Sequence, residues 1–114
     1  METNNFTGEY NTDKLMSYGN PTIINKMIEL FIKSSNDFSE KMIIAVKEKN
    51  ILQAKQLAHC IKPSLDYLNI ISLTNLIRDV ELASEINTEI IEKINVITEK
   101  LKTITCQMQK DYSM

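Results

Sequence analysis

Glycine and proline, the residues on which tight turns depend most, number two each in 114 residues: Gly8 and Gly19, Pro21 and Pro63. A many-stranded sandwich needs a turn roughly every ten residues, and a phosphate-cradling loop needs clustered glycines, so both are excluded. Helices need neither. The length allows one domain around one core.

The apolar residues fall in helical stripes. After Asn20-Pro21, a pair suited to capping and opening a helix, Ile24, Ile28, Phe31, Ser35, Phe38, Met42 and Ala45 recur at alternating steps of three and four. The spacing predicts a long helix over 21–49, weakened at Ser34-Ser35-Asn36, whose side chains compete for backbone hydrogen bonds. Asn50 opens a second stripe, Ala54, Leu57, Ala58, Ile61, Leu65 and Leu68, which ends near Asn69. Ser72 is expected to cap a third segment carrying Leu73, Leu76, Ile77 and Val80, reaching to about Ser84. Ile90, Ile94, Ile97, Leu101, Ile104 and Met108 form a fourth, after Asn87 and Thr88. Glu89 in its first turn suits the helix dipole.

None of these segments can bury its apolar side alone. Short connections favour antiparallel neighbours, so the expected fold is all-α, an antiparallel up-down-up-down four-helix bundle. A short N-terminal helix over 12–17 places Leu15 and Met16 against it. The expected organisation is a flexible lead-in over 1–11, containing Phe6 and Tyr10, and one domain over 12–111.

Thirteen cationic against fifteen acidic side chains give a net charge of -2, too balanced to draw the chain to nucleic acid or an anionic membrane. No apolar run approaches the ~20 residues that span a bilayer, and the polar N-terminus does not read as a secretory signal. A cytoplasmic location is expected, with Cys60 and Cys106 as reduced, semi-buried thiols. Starting at Met1 and ending soon after the last stripe, the chain reads as a free-standing protein. Twelve of the thirteen cations are Lys, alongside many Ile and Asn, a composition associated with AT-rich bacterial genomes.

His59 is the only histidine. Turning the second helix by about 100° per residue puts Leu57, Ile61, Leu65 and Leu68 roughly 160° to 240° away from it, so the imidazole faces water. Leu52, Lys55, Gln56, Lys62, Pro63 and Asp66 share its face within about 60°. An exposed histidine is usually no more than a solvated side chain. Here Lys55, four residues before, and Lys62, three after, flank the ring with positive charge, which favours its neutral, nucleophilic form and attracts anions. A single histidine with no closely spaced set of Cys or carboxylate ligands argues against a structural zinc site, and the Glu-x-x-His pair of a di-iron bundle is absent. No nucleophile elbow is visible, and two glycines build no ATP loop. No metal or cofactor of its own is expected.

The stretch from Ala58-His59-Cys60-Ile61-Lys62-Pro63-Ser64 through Leu68-Asn69-Ile70, followed by Leu73, Leu76, Ile77 and Glu81, resembles the signature of histidine-containing phosphotransfer (HPt) domains. The usual pattern there is Ala-His-x-Leu-Lys-Gly-Ser, a Leu-Gly-Ala turn, and a leucine-patterned helix ending in Glu. Leu15, Gly19-Asn20, Ile28 to Phe31, Ala45 and Asn50 fit the upstream part, so the resemblance covers roughly Leu15 to Met108.

That resemblance implies a phosphocarrier in a multistep two-component phosphorelay, not a kinase or hydrolase. His59 accepts a phosphoryl group from the aspartyl phosphate of one response-regulator receiver and passes it to another. Lys62 offsets the phosphate charge. Leu52, Lys55, Gln56, Pro63 and Asp66 dock the receiver, which supplies Mg²⁺, and a hybrid sensor histidine kinase stands upstream of a monomeric carrier. Two positions depart from the pattern. Pro63 replaces the usual Gly and presses on the carbonyl of His59, which predicts a local kink. Asn69 replaces the turn Gly, a mild change because Asn tolerates left-handed backbone. The competing expectation is a helical interaction or dimerisation module that carries no phosphate. A membrane-surface helix fits poorly, because the polar faces mix both charge signs.

Overall fold

A computed structural model of the chain describes Tyr10 and residues 20–112. The described residues form four helices and no strand: α1 Pro21–Lys47, α2 Ile51–Tyr67, α3 Ile71–Glu81 and α4 Thr88–Asp111. The short helix expected over 12–17, with Leu15 and Met16, lies outside the described residues, as does most of the expected lead-in.

Three helices start where an Asn can hold a free backbone N–H. The Oδ1 atoms of Asn20, Asn50 and Asn87 accept from the N–H groups of Ile23, Gln53 and Ile90 at 3.1, 3.1 and 2.9 Å. α3 differs. Its N-cap is Ile70, which offers no side-chain hydrogen bond, and Ser72 sits inside the first turn. The helix also ends at Glu81, short of Ser84.

The turns after α1 and α2 are built alike. Lys49 and Asn69 both take φ of 53°, and the next N–H in each case reaches back to the carbonyl of Ala45 or Leu65, at 2.8 and 2.9 Å. This is the Schellman arrangement, which satisfies carbonyls that a helix end leaves open. Asn69 does what its residue type predicts. Lys49 is a residue of ordinary shape held in left-handed backbone, at a cost of about 1 kcal/mol.

The predicted stripes are the buried faces, except that Leu57 and Leu76 are only partly buried against the core. α1 buries Ile24, Ile28, Phe31, Ser35, Phe38, Met42 and Ala45, and it runs unbroken through Ser34-Ser35-Asn36. α2 buries Ala54, Ala58, Ile61 and Leu65, α3 buries Leu73, Ile77 and Val80, and α4 buries its six predicted apolar residues together with Thr105. These side chains form one continuous core. Each fully buried Ile, Leu or Met contributes about 1.5–3 kcal/mol relative to exposure, against about 1 kcal/mol for a typical cap. Contacts run α1 with α2, α2 with α3, α3 with α4 and α4 with α1, so every helix has two neighbours in a bundle-like arrangement.

Tyr10, placed in the lead-in by its sequence neighbourhood, is buried in this core, and its hydroxyl donates to the Asp111 carboxylate at the end of α4. Burial, then that hydrogen bond and the Asp111 charge, raise the phenol far above the ordinary tyrosine value. No described helix is long and apolar enough to cross a membrane.

Candidate functional site

His59 lies midway along α2, with its side chain 79% exposed. The cause is the one the stripe implies: Ala58, Ile61 and Leu65 take the inner face and leave the imidazole outside. Its ring is nonetheless held. Nδ1 lies 3.2 Å from Oε2 of Glu81, the last residue of α3, and the other oxygen, Oε1, accepts from Nζ of Lys62 at 3.1 Å. One carboxylate therefore bridges the two α2 residues.

Glu81 is the most sheltered of the three, with its side chain 18% exposed against 43% for Lys62. Burial pushes its carboxyl up, but the hydrogen bonds from Lys62 and His59, together with their charges, outweigh burial and hold it below the ordinary glutamate value. It is ionised at neutral pH and can only accept. That fixes the tautomer: Nδ1 must carry the hydrogen, so in the neutral ring the lone pair sits on Nε2, the nitrogen that Glu81 does not engage. A neutral imidazole with Nδ1–H held by an acceptor has its tautomer and ring orientation set, as second partners do for other functional histidines.

The sequence places two ammonium groups beside the ring. Only one takes part. Lys62 reaches the ring's neighbourhood through Glu81, whereas among the described residues Lys55 makes no hydrogen bond or ion pair with His59 and lies half-buried on the same face. The local field is thus that of a carboxylate paired with an ammonium, not of two bare cations.

Leu52, Gln56, Pro63 and Asp66 are exposed on α2 around His59, as helical spacing requires. Leu52 is 76% exposed, and Leu82, next to Glu81 on the neighbouring chain segment, is 74% exposed. α2 continues through Pro63 to Tyr67. Pro63 has no N–H, so the His59 carbonyl loses its i+4 helical donor. Cys60 and Cys106 are free, and both are exposed where partial burial was expected. Among the described residues no group of three His, Cys, Asp or Glu side chains is placed to hold a metal ion.

Helical spacing alone misses the part played by Glu81, because the contact joins residues 22 apart in sequence. The two residues come together because the short connection at 68–70 sets α3 against α2. No protein-family model, curated protein or solved structure matches this chain.

Proposed function

We propose that this protein is a histidine phosphotransfer protein, taking a phosphoryl group on Nε2 of His59 from a receiver-domain aspartyl phosphate and handing it to a second receiver. The observation that carries this reading is the exposed imidazole whose Nδ1 is engaged by Glu81, leaving Nε2 as the nucleophilic edge. Phosphoryl transfer of this type depends on positioning and charge neutralisation more than on covalent machinery. An exposed, oriented ring with a lysine one turn away supplies both. Lys62 offsets phosphoryl charge, and the receiver brings Mg²⁺.

The antiparallel up-down bundle belongs to the same reading. It is supported by the ring of helix contacts and by Glu81, at the far end of α3, lying against the middle of α2. Leu52, Lys55, Gln56, Pro63 and Asp66 form the docking face, with Leu82 beside it. The partners are response-regulator receivers and, upstream, a hybrid sensor histidine kinase. The carrier acts as a monomer in a bacterial cytoplasm, without a cofactor or catalytic turnover of its own.

The test is direct. Incubated with a phosphorylated receiver and Mg²⁺, the protein should acquire acid-labile, base-stable label that His59→Ala abolishes while its helical circular dichroism is unchanged. Label retained by His59→Ala, or none on the unaltered protein with a panel of receivers, would leave a non-phosphorylated interaction module as the better description.

A further inference from the structure

We propose that Glu81 sets the lifetime of the phosphoryl group on His59: its carboxylate keeps the Nδ1 proton on the phosphorylated ring and holds Lys62 partly away from the phosphoryl oxygens, so the group stays reactive. This rests on the phosphocarrier reading above and goes beyond it by assigning a positioning residue and the direction of its effect.

Each oxygen of the Glu81 carboxylate has a separate task. Oε2 faces His59 Nδ1 at 3.2 Å and Oε1 holds Lys62 Nζ at 3.1 Å. Glu81 is also the least exposed of the three side chains, so it is the fixed point to which the other two attach.

The electron bookkeeping shows why this matters. The Nε2 lone pair forms a bond to phosphorus as the bond from phosphorus to the aspartyl oxygen breaks, and that pair leaves with the receiver's carboxylate. The ring then carries phosphorus on Nε2 and hydrogen on Nδ1, so it is an imidazolium. A carboxylate opposite Nδ1 favours that cation. In the next transfer, an acceptor carboxylate, or water, attacks phosphorus and the P–N pair returns to Nε2. The ring departs as neutral imidazole with its Nδ1 proton retained. Had that proton been lost, the ring would have to leave as an anion, a far poorer leaving group.

Lys62 acts in the same direction. A cation fully committed to the phosphoryl oxygens lowers the energy of the loaded state, but an ammonium shared with Oε1 is only partly available to them. Both consequences of the bridge shorten the life of the loaded state.

The closing experiment follows label on the full chain after loading from a phosphorylated receiver and removal of the receiver and Mg²⁺. In Glu81→Gln the amide oxygen can still accept from Nδ1–H but holds the ring more weakly, so loading slows; once loading is complete, label persists about three- to tenfold longer, the scale of one charge-assisted contact partly screened by water. Lys62→Gln should shorten the lifetime more in the Glu81→Gln background than alone, because only there is the ammonium free to serve the phosphoryl group. Glu81→Asp, too short to bridge both partners, should give an intermediate lifetime and stands in if Glu81→Gln does not fold. An unchanged or shorter lifetime in folded Glu81→Gln overturns the inference while leaving the phosphocarrier reading intact. Absence of label on the unaltered protein removes both.

Discussion

The seam between α2 and α3 and the seam between α1 and α4 each join two helices over the same core, yet they direct their polar side chains oppositely. Across α2–α3, His59 and Lys62 reach another helix to meet Glu81. Along α1–α4 the hydroxyls turn inward on their own helix: Thr98, Thr103 and Thr105 donate to the carbonyls of Asn95, Glu99 and Lys102, and Ser35 Oγ is buried without a partner. Between the two helices lies an open groove of about 540 Å³, lined by Ser39 and Ile43 of α1 and Leu101 and Lys102 of α4. One seam is specified by polar contacts between residues distant in sequence. The other is packed chiefly through buried apolar side chains. At the bridged seam the polar side chains that leave α2 to find a partner are those of the candidate site.

The contrast fails if substitutions in the packed seam disturb the chemistry, or if those in the bridged seam dominate stability. The largest expected effect is from Leu101→Ala, which empties a fully buried position on α4 and should cost about 2–5 kcal/mol in denaturant unfolding, with loading of His59 unchanged below the transition. A loss of loading in the still-folded variant would erase the distinction between the seams.

Next comes acid pH. The Glu81 carboxyl is held below its unfolded value, so the folded state binds fewer protons there, and the bridge contributes fully above the ordinary glutamate range near ~4.3 and is lost as pH falls through the lower folded value. With His59 exposed and Lys62 partly so, the contribution is on the order of 1 kcal/mol. Thermal melts of the unaltered protein and Glu81→Gln should converge as pH drops below that range. Curves that stay parallel would show that the bridge contributes nothing to folding.

The smallest effect is expected from Ser35→Ala. It removes a buried hydroxyl that has no partner and should leave stability unchanged or raise it by a few tenths of a kcal/mol. A loss above about 1 kcal/mol would mean that Ser35 pairs with a group across the α1–α4 seam.

How much of this was legible in the sequence follows from the range of the interactions. The α1 stripe from Ile24 to Ala45 could be read residue for residue, because a period near 3.6 is a local property. The exposure of His59 followed from the same rule applied to α2. Asn20, Asn50 and Asn87 announce helix starts because capping too is local. The start of α3 was misplaced at Ser72, since the preceding Schellman turn sets the chain's direction and Ile70 is drawn in as a buried anchor. Tyr10 was missed because its partner, Asp111, is 101 residues away. The family pattern contained Glu81, but its bridging role was invisible until two helices were set side by side.

The placement of His59 within α2 has a mechanical meaning. It is the ninth of seventeen residues counted from either Ile51 or Tyr67, roughly 12 Å from each terminus. Fraying, which loosens the outermost turn, dies out before reaching it, and the opposed partial charges of the two ends cancel there. The ring stands at the neutral point of a beam clamped at both ends, so its reactivity is handed over to the few side chains within reach.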